Sequence, residues 1–118
     1  MTKIDKINYL EYPAKDLAAT KTFFTQIFNW QFTDYGPDYI AFVEKSGLNG
    51  GFYRSPLTSS PANGAGLTVF YTMEIAALEL KIVQAGGKIC TPIFAFPGGV
   101  RFHFTEPSGN EFAVWSES

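Results

Sequence analysis

The sequence predicts an α+β fold built from two βαβββ modules, and three observations carry that prediction. The order strand, helix, three strands occurs twice along 118 residues. A stretch rich in Ser, Pro, Gly and Asn, residues 56–66, separates the two passes. Each half has too little apolar surface to fold alone, so the two must share one sheet system. The expected organisation is a single domain over residues 1–118, with module one at about 5–55, the linker at 56–66 and module two at about 67–116.

The elements follow in order. Ile7, Tyr9, Leu10 and Tyr12 mark a strand over residues 5–12, which Pro13 is expected to end. Asp16 is a good N-cap, and Leu17, Lys21, Phe24 and Phe28 recur at helical spacing behind it. A second strand runs from Trp30 to Tyr35 and stops at Gly36-Pro37. A third covers Tyr39 to Glu44, and the turn Ser46 to Gly51 leads into a short fourth, Phe52 to Arg54. Beyond the linker, Leu67 to Thr72 is strand-like, and Ile75, Leu78, Ile82 and Ala85 mark a helix. Gly86-Gly87 stops that helix by supplying left-handed backbone. Lys88 to Thr91, Val100 to Thr105 and Glu111 to Trp115 complete the second set of strands.

Composition narrows the function classes. Twelve Phe, six Tyr and two Trp make up 17% of the residues, which fits an ordered aromatic core and argues against disorder. The formal net charge is −2, and the nine Lys and Arg are scattered, so there is no phosphate-neutralising patch and nucleic acid is not an expected partner. Cys90 is the only cysteine, which excludes an intrachain disulfide and fits a reducing compartment. The opening Met-Thr-Lys-Ile-Asp-Lys lacks an apolar signal core, and no 18-residue apolar run occurs, so the expectation is a cytoplasmic protein without a membrane partner.

Two segments carry a family resemblance. The first is Ile7-Asn8-Tyr9-Leu10-Glu11-Tyr12-Pro13-Ala14-Lys15-Asp16-Leu17 with Phe23-Phe24-Thr25-Gln26-Ile27-Phe28-Asn29-Trp30. The second is Thr105-Glu106-Pro107-Ser108-Gly109-Asn110-Glu111-Phe112-Ala113-Val114. With Gly86-Gly87 between them, the chain resembles the vicinal oxygen chelate superfamily of glyoxalases, bleomycin-resistance proteins and extradiol dioxygenases. The resemblance implies mixed sheets curved around a central cavity, and a homodimer or an exchange of modules between subunits. It also implies four strand positions that in the family's enzymes hold a divalent metal through His and Glu.

Those four positions map onto Tyr9, Gly51, Leu67 and Ala113. Tyr9 stands seven residues before Asp16, and no His, Asp, Glu or Cys occurs from Ser46 to Ser55 around Gly51. Leu67 opens the second module, and Ala113 stands where the Glu after the Pro-x-Gly hairpin belongs. Gly, Leu and Ala offer no donor atom, and a tyrosine is a poor ligand for Zn²⁺, Ni²⁺ or Mn²⁺ near neutrality, whereas catalytic zinc takes about three protein ligands. The expectation is no metal and no other cofactor. A carboxylate-only site through Glu11 and Glu111 is the weaker alternative.

Other residues remain to carry chemistry. If Thr105 pairs with Glu111, then His103 lies opposite Ala113 with Arg101 on the same face, while Phe102 and Phe104 pack on the other. His103, the single histidine, is either a strand residue with no task or a hydrogen-bond donor, acid or base. In the dioxygenase branch the position ten residues before the metal-binding Glu carries a cavity-lining polar ring, and His103 stands ten before Ala113. Glu11 shares the face of Tyr9, and Arg101 is its candidate partner, either as a site residue or in a purely structural ion pair. Tyr9, Phe52, Tyr71 and Trp115 are the candidate ligand-binding wall. The segment Thr91 to Gly99 is expected to be an apolar loop that buries Ile93, Phe94 and Phe96, most simply in a subunit interface, and Cys90 a small buried hydrophobe.

The leading expectation is metal-independent binding of a small organic molecule in an aromatic cavity. One rival is a glyoxalase-like lyase or isomerase that moves a proton with Glu11 or His103, Arg101 stabilising developing charge. The other is a non-catalytic dimeric interaction module.

Overall fold

Asp16 turns the chain from strand to helix as the sequence requires: its side chain accepts the Ala19 N–H at 3.0 Å, and the helix ends at Asn29 in left-handed conformation. The computed structural model describes residues 5–44 and 47–118. The first module consists of β1 (Tyr9–Ala14), α1 (Leu17–Phe28), β2 (Gln31–Asp34), β3 (Tyr39–Val43) and β4 (Asn49–Arg54). The second consists of β5 (Val69–Tyr71), α2 (Ile75–Gln84), β6 (Lys88–Phe96), β7 (Gly99–Thr105) and β8 (Glu111–Ser116). The predicted turn from Ser46 to Gly51 begins outside the described residues.

Each module makes a mixed four-stranded sheet, in the order β1-β4-β3-β2 and β5-β8-β7-β6. In both, the first strand pairs in parallel with the last, and the remaining pairs are antiparallel. The fold class is α+β, as the element order predicts.

Three local expectations are corrected. Pro13 does not end β1 but lies inside it, opposite Tyr53. Because β1 is an edge strand, a residue without an N–H costs no ladder bond there. The buried stripe of α1 is Leu17, Thr20, Phe23, Phe24 and Ile27, whereas Lys21 turns out to pair with Asp34 at 3.1 Å. Thr91 to Phe96 is not a loop: β6 continues through it with two register shifts, and Phe94 pairs with Arg101. Ile93 and Phe94 stay exposed.

One core serves both sheets. Phe24 stacks on Trp30 and Phe52 and meets Phe112 edge to face, so α1 bridges the modules. Phe28 stacks on Phe70 of β5 with centroids 4.3 Å apart. On α2, Ile75 and Ile82 are buried and Leu78 packs partly against the core, as does Ala85 at the helix's C-cap, as their spacing predicts. A helix-side face and an open face thus alternate along each strand.

Polar contacts lock the halves together around Glu106-Pro107-Ser108-Gly109-Asn110. Thr20 Oγ1 donates to Glu106 Oε1 at 2.6 Å, the Ser108 and Asn110 N–H groups donate to the same carboxylate, and Asn110 Nδ2 donates to Pro13 O at 2.6 Å. The linker joins this knot, because the Ser59 N–H donates to Asn110 Oδ1 and Ser59 O accepts from the Glu111 N–H. Burial pushes the Glu106 carboxyl above its ordinary range, opposed by these donors. At the seam between sheets, the Tyr12 and Thr68 hydroxyls meet at 2.7 Å. Among the described residues, no helix is long and apolar enough to cross a membrane.

Candidate functional site

The open face of the second sheet brings together a polar triad set among aromatic rings. The strand register is the predicted one: Thr105 opposes Glu111, His103 opposes Ala113, and Arg101 opposes Trp115. Phe102 and Phe104 are buried on the helix side, which leaves Arg101, His103 and Thr105 on the other face. His103 Nδ1 lies 2.9 Å from Glu111 Oε2, and its Nε2 lies 3.0 Å from Arg101 Nη2. A guanidinium can only donate, so Nε2 must accept, and the ring proton sits on Nδ1 and points at the carboxylate. Thus Glu111 and Arg101 fix both the tautomer and the plane of the ring.

Aromatic side chains frame this triad. The Arg101 guanidinium carbon lies 5.9 Å from the Phe94 ring centre and 5.6 Å from that of Phe96. Phe94 also lies beside His103, with ring centres 6.0 Å apart. Trp115 meets Phe96 and Tyr71 edge to face, and the Tyr71 hydroxyl donates to Glu117 Oε1 at 2.8 Å. That bond, ahead of slight burial, pushes the Tyr71 phenol above its ordinary range.

The open face of the first sheet carries a second group. The Tyr9 and Tyr39 hydroxyls lie 2.5 Å apart, and Tyr39 donates to Glu11 Oε2 at 3.0 Å. Partial burial, then the bonds to Tyr9 and Glu11, push the Tyr39 phenol well above its ordinary range. Tyr39 was not among the predicted site residues. Its signal was Gly51: a glycine inside a strand marks close approach by a neighbour. The Tyr39 phenol lies over Gly51, and a Cβ there would collide with it.

That contact falls at a position where the resemblance places a metal ligand. The first sheet offers the Tyr9 hydroxyl and a glycine whose side-chain space the Tyr39 phenol fills. The second offers Leu67, which with Leu10, Glu11 and Thr68 lines a cleft of about 380 Å³ at the seam, and Ala113, which is buried on β8. At the four positions the resemblance assigns to the metal, the side chains offer one tyrosine hydroxyl and no carboxylate, imidazole or thiolate, a donor set unlike that of a catalytic divalent ion. Among the described residues, no three His, Cys, Asp or Glu side chains cluster as ligands, and Glu11 and Glu111 are engaged in separate groups.

Three further expectations are corrected. Phe52 is not a ligand wall: it is 0% exposed and packs on the helix side against Tyr12 and Phe24, because the strand alternation puts Gly51 and Tyr53 on the open face. Glu11 does not pair with Arg101; it accepts a hydrogen bond from the Tyr39 hydroxyl instead, and Arg101 donates to His103. Cys90 is exposed rather than buried, and partial desolvation followed by the nearby Glu111 charge pushes its thiol up, away from reactivity. Tyr9, Glu11, Tyr71, Arg101, His103 and Trp115 do lie on open faces, but in two groups. Among the described residues, no hydrogen bond or ring contact joins one group to the other.

Comparison with known proteins agrees with this architecture. The mycobacterial protein named "Putative glyoxylase CFP32", from Mycobacterium bovis, is 25% identical over a 115-residue alignment that covers 92% of this chain and 44% of that protein. The chain therefore spans less than half the length of the curated relatives it matches. A glyoxalase-related enzyme from Fulvimarina pelagi superimposes with a TM-score of 0.78 at 19% identity, covering 96% of this chain and 88% of the other. The fosfomycin resistance protein FosX from Listeria monocytogenes superimposes with a TM-score of 0.77 at 18% identity, covering 98% and 96%. The family model described as Glyoxalase/Bleomycin resistance protein/Dioxygenase superfamily matches residues 6–114. Paired βαβββ modules, the knot at Glu106 to Asn110 and a match along nearly the whole chain lead to one conclusion: this chain belongs to the Glyoxalase/Bleomycin resistance protein/Dioxygenase superfamily.

Proposed function

We propose that this protein binds a small organic molecule on the aromatic open faces of its sheets, without the family's metal ion. The observation that carries the reading is the oriented triad Glu111–His103–Arg101 set among Phe94, Phe96 and Trp115. A few fixed polar groups within an apolar wall are what a small-molecule site needs. Tyr9, Glu11 and Tyr39 would supply polar contacts from the first sheet, and Tyr71 from the second.

Enclosing such a ligand requires covering surfaces that one chain leaves open. Tyr9, Tyr53, Val69, Tyr71, Ile93 and Phe94 are all large and exposed. A homodimer that sets the open face of one copy against that of its partner would bury them. The single cysteine fits a reducing compartment, and the cytoplasm is the location we propose.

One observation favours a second reading. A histidine whose ring proton is fixed by a carboxylate is built for proton transfer, so a lyase or isomerase of glyoxalase type is the alternative. The naming of the longer mycobacterial relatives as glyoxylases supports it. The two readings separate in one experiment. A small-molecule screen by thermal shift, followed by turnover of methylglyoxal–thiol adducts, should give stabilising ligands but no turnover. Turnover that His103→Ala abolishes would establish the enzyme reading, and the absence of any stabilising compound would remove the binding reading.

A further inference from the structure

We infer that the ligand of the second sheet carries an oxyanion, a carboxylate, phosphonate or phosphate group, and that Arg101 receives it. The inference rests on the reading that this face holds a small organic molecule, and it names the chemistry of that molecule.

A guanidinium has five N–H donors. Arg101 uses one hydrogen bond, from Nη2 to His103 Nε2 at 3.0 Å. Its Nε is buried and has no partner, and among the described residues no carboxylate lies within ion-pair distance of it. The two features that mark an arginine with a purely structural role, a direct counter-charge and a saturated donor set, are therefore both lacking at Arg101. Glu111, the acid of the same face, is spent on the far side of the imidazole. By contrast, Arg54 of the first module has Asp38 at 3.1 Å and Pro37 O at 2.8 Å.

The cation is also held in place. Phe94 and Phe96 flank it at 5.9 and 5.6 Å, and His103 anchors one amino group. A planar fork fixed in this way, with donors to spare, matches the paired oxygens of a carboxylate or phosphonate. Phe94 is 39% exposed, so apolar surface lies open beside the cation for the body of the ligand. An oxyanion on the spare donors would place negative charge beside the guanidinium that His103 Nε2 accepts from, so its binding is read at the imidazole ring.

His103 is the only histidine, and its ring signals in NMR are therefore unambiguous. The test titrates labelled protein with benzoate, phenylphosphonate, the neutral benzamide and inorganic phosphate, following the His103 ring and the Arg101 side-chain N–H. The expected result is saturable shifts with benzoate and phenylphosphonate, at least ten-fold weaker binding of benzamide, and at least ten-fold loss of anion affinity in Arg101→Gln. Arg101→Lys, which keeps the charge and loses the fork, should fall between them. Benzamide binding as tightly as benzoate, with Arg101→Gln without effect, overturns the oxyanion and leaves the small-molecule reading standing. Inorganic phosphate binding as tightly as the aromatic anions supports the oxyanion and removes the aromatic wall. No response at this face to any of the four probes overturns both.

Discussion

Gly50 and Gly51 are neighbours on β4 whose missing side chains serve opposite faces. A Cβ at Gly50 would strike the Leu10 carbonyl and the buried Phe42 ring, whereas one at Gly51 would strike the end of Tyr39. A backbone carbonyl cannot yield, but a half-exposed phenol can swing away. Gly50→Ala should therefore cost about 1–3 kcal/mol in denaturant unfolding. Gly51→Ala should cost under about 1 kcal/mol, chiefly by displacing Tyr39 from Glu11. At His103, a long-range ¹H–¹⁵N spectrum should give the Nδ1-protonated tautomer, and Glu111→Gln should weaken that bias because a carboxamide is a poorer acceptor. The triad's placement was legible in the sequence, since one hairpin turn fixes the register and the register fixes which side chains share a face. Its bonding was not. Spacing alone gave Glu11 to Arg101 as partners, while the nearer Tyr39 and His103 took them.

At the scale of elements, the turn between β7 and β8 acts as the clasp of the fold. Glu106 is buried and accepts three donors, two of them backbone N–H groups that no other group satisfies. Glu106→Gln turns an amide donor toward one of those N–H groups and should cost about 1–3 kcal/mol at pH 7. The raised carboxyl gives the pH dependence its sign. The folded state binds the extra proton over the interval from the ordinary carboxyl range up to the raised value, so this group's contribution to stability falls as pH rises through that interval. Glu106→Gln should remove that slope, which urea unfolding across the acid range would measure. The elements themselves were readable because helix caps and helix spacing are local. The errors came where tertiary context decides: Pro13 is tolerated because β1 lies at an edge, and β6 runs on to Phe96 because β7 pairs with it.

At the scale of the whole molecule, the chain keeps its family's paired βαβββ architecture, and the metal-free reading proposed above belongs to this scale. Open faces rich in exposed aromatics predict self-association. Sedimentation should give a dimer, and Val69→Asp, at an exposed position on β5, should weaken it about ten-fold or more, some 1.4 kcal/mol or above. A monomer at roughly tens of micromolar would rule out the proposed dimer. The most direct test of the central claim is metal stoichiometry on the purified protein, after equilibration with Zn²⁺, Ni²⁺ and Mn²⁺ and removal of free ions. The prediction is well under one ion per chain and an unchanged Tm, because the Tyr39 phenol stands over Gly51, and Leu67 and Ala113 offer no donor atoms. One tightly held ion per chain, lost on Tyr9→Phe, would contradict it.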